Sequence, residues 1–210
     1  TFLLEKVLSE PWFGLVIKPK APSTLRRRLG PVAELLARAE ATGRCVVHEG
    51  GVLHGSCPPA MAALAADVMI HGHLCAATAG FEAALAGVPT LLVDREGWPA
   101  SPLYRLGVGR VVFTDWPSLW RACLERRAGG LPGLGDWSPM LPELDPFRDG
   151  RAAERMGTYL HWLLEGYRAR LPRETILADA AERYAAAWGA AHVTAINARG
   201  LREPAAAPIP

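Results

Sequence analysis

Residues 65–95, AADVMIHGHLCAATAGFEAALAGVPTLLVDR, constrain the fold more than any other stretch. Residues 67–70 are a short apolar run with β-branched members, which suits a strand buried in a parallel sheet. Residues 76–86 have helical composition, and Gly87 stands where a chain leaves a helix through the left-handed region. Residues 88–93, VPTLLV, supply a second buried strand. The loop His71-Gly72-His73-Leu74-Cys75 falls where the first strand hands over to the helix. In open α/β sheets that carboxyl-end edge is where ligands bind, nucleotides among them.

The same alternation extends to both sides. Residues 13–17, 45–48 and 110–113 read as strands, and 101–107 and 116–127 as helices. A helix capped by Ser23 is expected to carry Arg26, Arg27 and Arg28, then Val32, Leu35, Leu36 and Ala39, and to close at Gly43. Pro58-Pro59 opens a short helix over 60–65. The expected fold class is therefore α/β, a Rossmann-like parallel sheet with helices on both faces over residues 1–127. Gly and Pro crowd residues 128–148, which read as a linker or long loop. Residues 149–190 hold two helices, the first with an apolar stripe of Met156, Leu160, Leu163 and Leu164. In the tail, 191–210, the Pro/Ala-rich end reads as disordered. Residues 1–9 read as the end of a helix that begins upstream, so the chain is expected to be a fragment or a processed product.

Bulk properties narrow the function. A net charge of +2 over 210 residues gives no electrostatic case for nucleic acid or an acidic membrane surface. No apolar run reaches the roughly 18 residues of a membrane span. The four cysteines, Cys45, Cys57, Cys75 and Cys123, are scattered without a C-x-x-C pair and read as reduced, small core residues of a cytosolic protein.

Thr78 and Glu82 are four apart and share one helix face. First-turn amides favour an anion, and a carboxylate one turn deeper can accept hydrogen bonds from a ribose diol. Gly80 allows close approach of a ligand or of backbone. Equally, Thr78 serves as a plain cap and Glu82 as a solvated helix carboxylate. Lys18 and Lys20 follow the first strand and can neutralise a diphosphate, or simply form a solvated basic loop. His71 and His73 resemble half of a metal set, but no matching ligand cluster exists elsewhere, so no metal is expected. His71, which directly ends its strand, is the better phosphate or substrate contact. His48 and Glu49 border a second Gly-rich loop at the same edge. Asp94, Arg95 and Glu96 follow the strand after the motif helix and are either a ligand loop or a charged surface turn.

The segment Ala76-Ala77-Thr78-Ala79-Gly80-Phe81-Glu82-Ala83-Ala84-Leu85-Ala86-Gly87-Val88-Pro89 resembles the donor-site segment of two-domain glycosyltransferases of the GT-B fold, lipid-A-disaccharide synthase-like enzymes among them. Asp149-Gly150-Arg151-Ala152-Ala153-Glu154-Arg155, the helix to Glu165-Gly166, and Tyr184 with Trp188-Gly189 are similar to the tail of bacterial surface- and capsule-polysaccharide glycosyltransferases. The resemblance implies that Glu82 holds the donor ribose and that Ala77, Thr78, Ala79 and Gly80 face the diphosphate. It places nucleotide contacts on the loop of His48 and Glu49, and the donor sugar near Asp94. It implies the donor-binding half of an enzyme that moves a sugar from a nucleotide-sugar to a glycan or lipid-linked acceptor. The nucleotide-sugar enters as substrate, with no cofactor, and the catalytic base comes from an N-terminal domain of the same polypeptide. The C-terminal helices are expected to pack on this domain or on that partner domain. The expected setting is the cytoplasm, with peripheral association at the inner face of the membrane. A sugar-nucleotide epimerase-like enzyme and a non-catalytic nucleotide- or partner-binding module are the alternatives.

Overall fold

The computed structural model describes residues 1–20, 22–48, 57–75 and 77–194. The chain divides into two compact units, Thr1–Leu144 and Asp145–Pro210. The first unit contains α1 (Phe2–Ser9), β1 (Leu15–Ile17), α2 (Pro22–Arg28), α3 (Val32–Ala41), β2 (Cys45–Val47), α4 (Pro59–Ala63), β3 (Met69–His71), α5 (Thr78–Leu85) and β4 (Thr90–Val93). A 3-10 turn (Pro102–Leu106), β5 (Val112–Phe113), α6 (Trp116–Arg127) and α7 (Leu141–Leu144) complete it. It is an α/β unit with small parallel sheets. β1 pairs with β2, and β3, β4 and β5 form a second sheet in that order.

β4 is the best covered strand, because its side chains alternate between two apolar layers. Leu91 and Val93 pack with Phe113 and with Leu119 and Ala122 of α6. Leu92 faces the other way, onto Ala84 of α5, Leu106 and Trp137. α5 ends in paired bonds that satisfy its last carbonyls: Gly87 N donates to Ala84 O at 3.0 Å and Val88 N to Ala83 O at 3.0 Å. Gly87 adopts φ +83° to make them, which a side chain there would resist. The β1–β2 sheet packs one face on α1 and α3, through Leu4, Val7, Leu36, Ala39, Cys45 and Val47.

Three expectations are corrected. The single helix foreseen around Arg26–Arg28 and Val32–Ala39 is two helices, because Gly30 at φ +50° and Pro31 break it; Ser23 lies inside α2, not before it. The stretch 128–148 is not a linker over most of its length. Leu134, Trp137, Met140 and Leu141 are buried in the cores around β4. Trp137 Nε1 donates to Thr90 O at 3.0 Å, Gly135 O accepts from Thr90 N at 3.0 Å, and Gly135 N donates to Arg110 O at 2.8 Å. Gly135 sits at φ +75°, and a Cβ there would stand 2.6 Å from Thr90 N. Only glycine lets the segment run that close to the sheet. Finally, Cys75 is exposed, unlike the buried Cys45.

The second unit is a helical hairpin of α8 (Ala152–Arg168) and α9 (Arg173–Trp188), followed by a 3-10 turn (Ala190–His192). Tyr184 of α9 meets Tyr159 of α8 with ring centroids 5.9 Å apart and packs on Trp188 of its own helix at 4.7 Å. Gly166 permits the approach of α9, since a Cβ there would lie 2.8 Å from Ile176 Cγ1. Arg155 is buried at the start of α8. It forms a double hydrogen bond to Asp149 at 2.8 and 2.9 Å and stacks 3.8 Å above the Phe147 ring. Met156, Leu160 and Leu164 of the expected stripe are exposed. No helix among the described residues is long and apolar enough to cross a membrane.

Candidate functional site

The candidate site lies where β3 and β4 end. β4 hands over to Asp94, whose carboxylate is saturated by its own loop. Oδ1 accepts from Glu96 N at 3.1 Å and Gly97 N at 2.9 Å. Oδ2 accepts from Trp98 N at 3.0 Å and the Tyr104 hydroxyl at 2.6 Å. The Tyr104 hydrogen bond, seconded by the three amides, holds the carboxyl below its ordinary range, so it stays ionised at neutral pH. Two oxygens taking four donors leave nothing for a ligand. Asp94, expected to face a donor sugar, is instead the residue that shapes the loop.

That loop delivers Glu96 to the other strand end. Glu96 Oε2 accepts from Leu74 N at 2.9 Å, and Oε1 takes both His73 Nδ1 at 2.8 Å and the Cys75 thiol at 3.0 Å. These donors, the Leu74 amide foremost, pull the Glu96 carboxyl down to about 2. The Cys75 thiol moves the opposite way, raised chiefly by its bond to Glu96, so it is a poor nucleophile. Donation from His73 Nδ1 to a carboxylate leaves Nε2 pointing away from Glu96. The His71 ring, 6.0 Å from that of His73, is held by its own short contact, Nδ1 to His73 O at 3.0 Å. One carboxylate therefore organises the whole 73–75 loop.

α5 begins beside this loop. Its N-cap, Ala77, makes no side-chain cap bond, and Thr78 is exposed at the first helical position. The amides of Thr78 and Ala79 have no partner within the helix by geometry alone. Glu82, one turn on, is half-buried, and its carboxylate makes no hydrogen bond or ion pair among the described residues. Thr78 is thus not the cap that sequence allowed it to be. Gly80 does not face a ligand: it is buried against the sheet, where a Cβ would stand 3.3 Å from Leu92 Cδ2 and 3.4 Å from Thr90 Cγ2. Its role is close helix–sheet packing, and Ala77 likewise packs on the core.

The remaining candidates are less converged. Lys18 is half-buried and Lys20 exposed, both after β1, and neither makes a side-chain hydrogen bond or ion pair among the described residues. His48 follows β2; its Nε2 is buried and has no partner among the described residues. Glu49 lies outside the described residues. Among them, no group of three or more His, Cys, Asp or Glu could hold a metal ion.

Sequence reasoning passed over Glu96 and Tyr104 as organisers. The available signal was Asp94-Arg95-Glu96-Gly97 directly after a buried strand, a pattern suited to an Asp accepting from the next two or three amides. Glu96's own partners lie 21 to 23 residues away and leave no local trace. Comparison of the chain with models of protein families, with curated proteins and with solved structures found no match.

Proposed function

We propose that the chain is the donor-binding half of a glycosyltransferase, taking a nucleotide-sugar at the Thr78–Glu82 face of α5. On this reading β2-β1 and β3-β4-β5 are two parts of one Rossmann-like sheet in the order 2-1-3-4-5, opened between β1 and β3. The strand order reverses at that gap, the position at which such sheets take ligands. Lys18 and Lys20 follow one bordering strand, and His71 and the 73–75 loop follow the other.

One observation carries the proposal: α5 starts without a side-chain cap, and half-buried Glu82, one turn along the same face, has no carboxylate partner among the described residues. The pair is built as a phosphate would need above and a sugar diol below. Transfer itself requires an acceptor hydroxyl, a base to take its proton and charge stabilisation of the departing diphosphate. This half supplies the last of these, with the first-turn amides and basic side chains; the base and the glycan or lipid-linked acceptor belong to a partner domain of the same polypeptide. The nucleotide-sugar is a substrate, and the setting is the cytoplasm at the inner membrane face, in surface polysaccharide synthesis. Titration calorimetry with UDP, GDP, CDP and ADP tests the site. The full chain should bind at least one of them, and Glu82→Ala should weaken it by about tenfold, the loss of one or two hydrogen bonds to a charged acceptor. Absence of binding, or an unchanged variant, would overturn the assignment.

A second reading, a non-catalytic partner-binding module, draws on the exposed stripe of Met156, Leu160 and Leu164. It predicts no nucleotide affinity in the same titration.

A further inference from the structure

The hairpin of the second unit uses only one face of α8. Tyr159, Trp162 and Gly166 turn to α9: Tyr159 meets Tyr184, the Trp162 and Trp188 ring centroids lie 5.6 Å apart, and Gly166 admits Ile176. The face beside it is apolar and uncovered. Met156, Leu160, Leu164 and Tyr167 recur at spacings of four, four and three, so they form one stripe along the helix. All four are exposed, Tyr167 to 75%, and Leu171, just past the helix end, is exposed with them. Together they present on the order of 600 Å² of mainly apolar surface, at the top of what a monomer ordinarily leaves open.

Gly157 belongs to the same seam. Gly157, Leu160, Leu164 and Tyr167 follow the three-four-three spacing by which one helix packs along another. A glycine inside a helix weakens it relative to alanine. Gly166 has a reason within the hairpin, the approach of Ile176. Gly157 has none of that kind: a Cβ built there meets no atom within 4 Å among the described residues. It leaves a notch in the seam, and Tyr167 stands out from the seam as a knob.

We infer that this face is a self-association surface, which joins two copies of the chain through antiparallel α8 helices into a bundle of two hairpins. In a two-fold pair, residue i of one copy meets j of the other and j meets i. Leu160 and Leu164 are symmetric about the level of residue 162, and so are Gly157 and Tyr167. One antiparallel register therefore sets leucine on leucine and places each tyrosine in the other copy's notch. A parallel pair stacks tyrosine on tyrosine, leaves both notches empty, and brings the basic helix end, Arg168 and Arg170, beside its own copy. Two such faces bury about 1,200 Å² between them, where specific interfaces begin. The inference goes beyond the nucleotide reading and does not depend on it.

The test is sedimentation velocity on the full chain between about 1 and 100 µM, a span in which an interface of this size dissociates. The chain should pass from monomer to dimer across it, with no larger species. Leu164→Arg should be monomeric throughout and keep the far-UV circular dichroism of the wild type, because the position is exposed within the chain. Gly157→Leu fills the notch at a position open within the chain. It should weaken dimerisation at least about tenfold while the dilute monomer melts no lower than the wild type. Tyr167→Ala should weaken it similarly, and Tyr167→Phe should preserve it. A wild type that stays monomeric at the highest concentration would overturn the inference, whether another partner covers the face or none does. A dimer that Leu164→Arg and Gly157→Leu leave intact would overturn it too, since its contact would lie elsewhere.

Discussion

The two parallel sheets of the first unit are made of strands of two to four residues, yet they are finished differently. All four residues of β4 are buried, with α6 on one side and α5, Leu106 and Trp137 on the other. In the β1–β2 sheet, Val16 and Val46 are register partners on one face, and they are 45% and 55% exposed. Parallel sheets ordinarily have both faces covered. The closed sheet carries the organised loops of Asp94 and Glu96, whereas the half-open one carries Lys18, Lys20 and His48, whose side chains make no hydrogen bond or ion pair among the described residues. Side chains can be held ready for a ligand where the scaffold beneath them is packed on both sides.

The sharpest way to break this contrast is to open the closed sheet. Trp137→Ala removes a buried indole and strands the Thr90 carbonyl, and should cost about 3–5 kcal/mol in chemical denaturation. A cost under 1 kcal/mol would mean that the 129–144 segment merely lies against the sheet. An intermediate effect concerns Glu96. Its carboxyl sits near 2 in the folded chain against an ordinary 4.5, so the loop clamp is complete above pH 4.5 and is lost as pH falls through 2. The Leu74 amide resonance should hold its position down to about pH 4 and move only below it. A midpoint at the ordinary carboxylate value would show that the clamp is not formed. The smallest effect belongs to the open sheet: Val16→Thr and Val46→Thr should each change stability by no more than about 0.5 kcal/mol, as surface substitutions do. A loss above 2 kcal/mol would reveal that this face is covered in solution.

What could be read from the chain followed the range of the forces involved. The 65–95 unit was legible because its signals are local: an apolar run, helix formers, and a glycine placed to end the helix at φ +83°. The placement of Thr78 and Glu82 on one face also followed from helical spacing alone. The long helix over 23–43 was misread because Gly30-Pro31 is a two-residue break in an otherwise continuous apolar period. The 128–148 stretch was open to two readings, linker or long loop, because composition cannot tell a Gly/Pro linker from a loop pressed into a core. Its Leu134, Trp137 and Met140 were the clue, since a solvated linker has no use for them. Asp94 was misjudged because a carboxylate after a strand looks the same whether it meets a ligand or its own loop amides. The distinction depended on Tyr104, ten residues on, whose hydroxyl occupies the remaining lone pair.

The bond from Trp137 to the Thr90 carbonyl spans 47 residues, and Gly135 meets the same threonine's amide. Thr90 opens the central strand, so both polar groups of its first residue wait on chain that is made much later. A nascent polypeptide that has reached only the end of α6 has all the strands of the first unit and every helix but α7, yet lacks the indole and glycine that seal the strand's entrance. On the ribosome, this unit is therefore committed late: the last stretch of the first unit to emerge is the one that locks its middle.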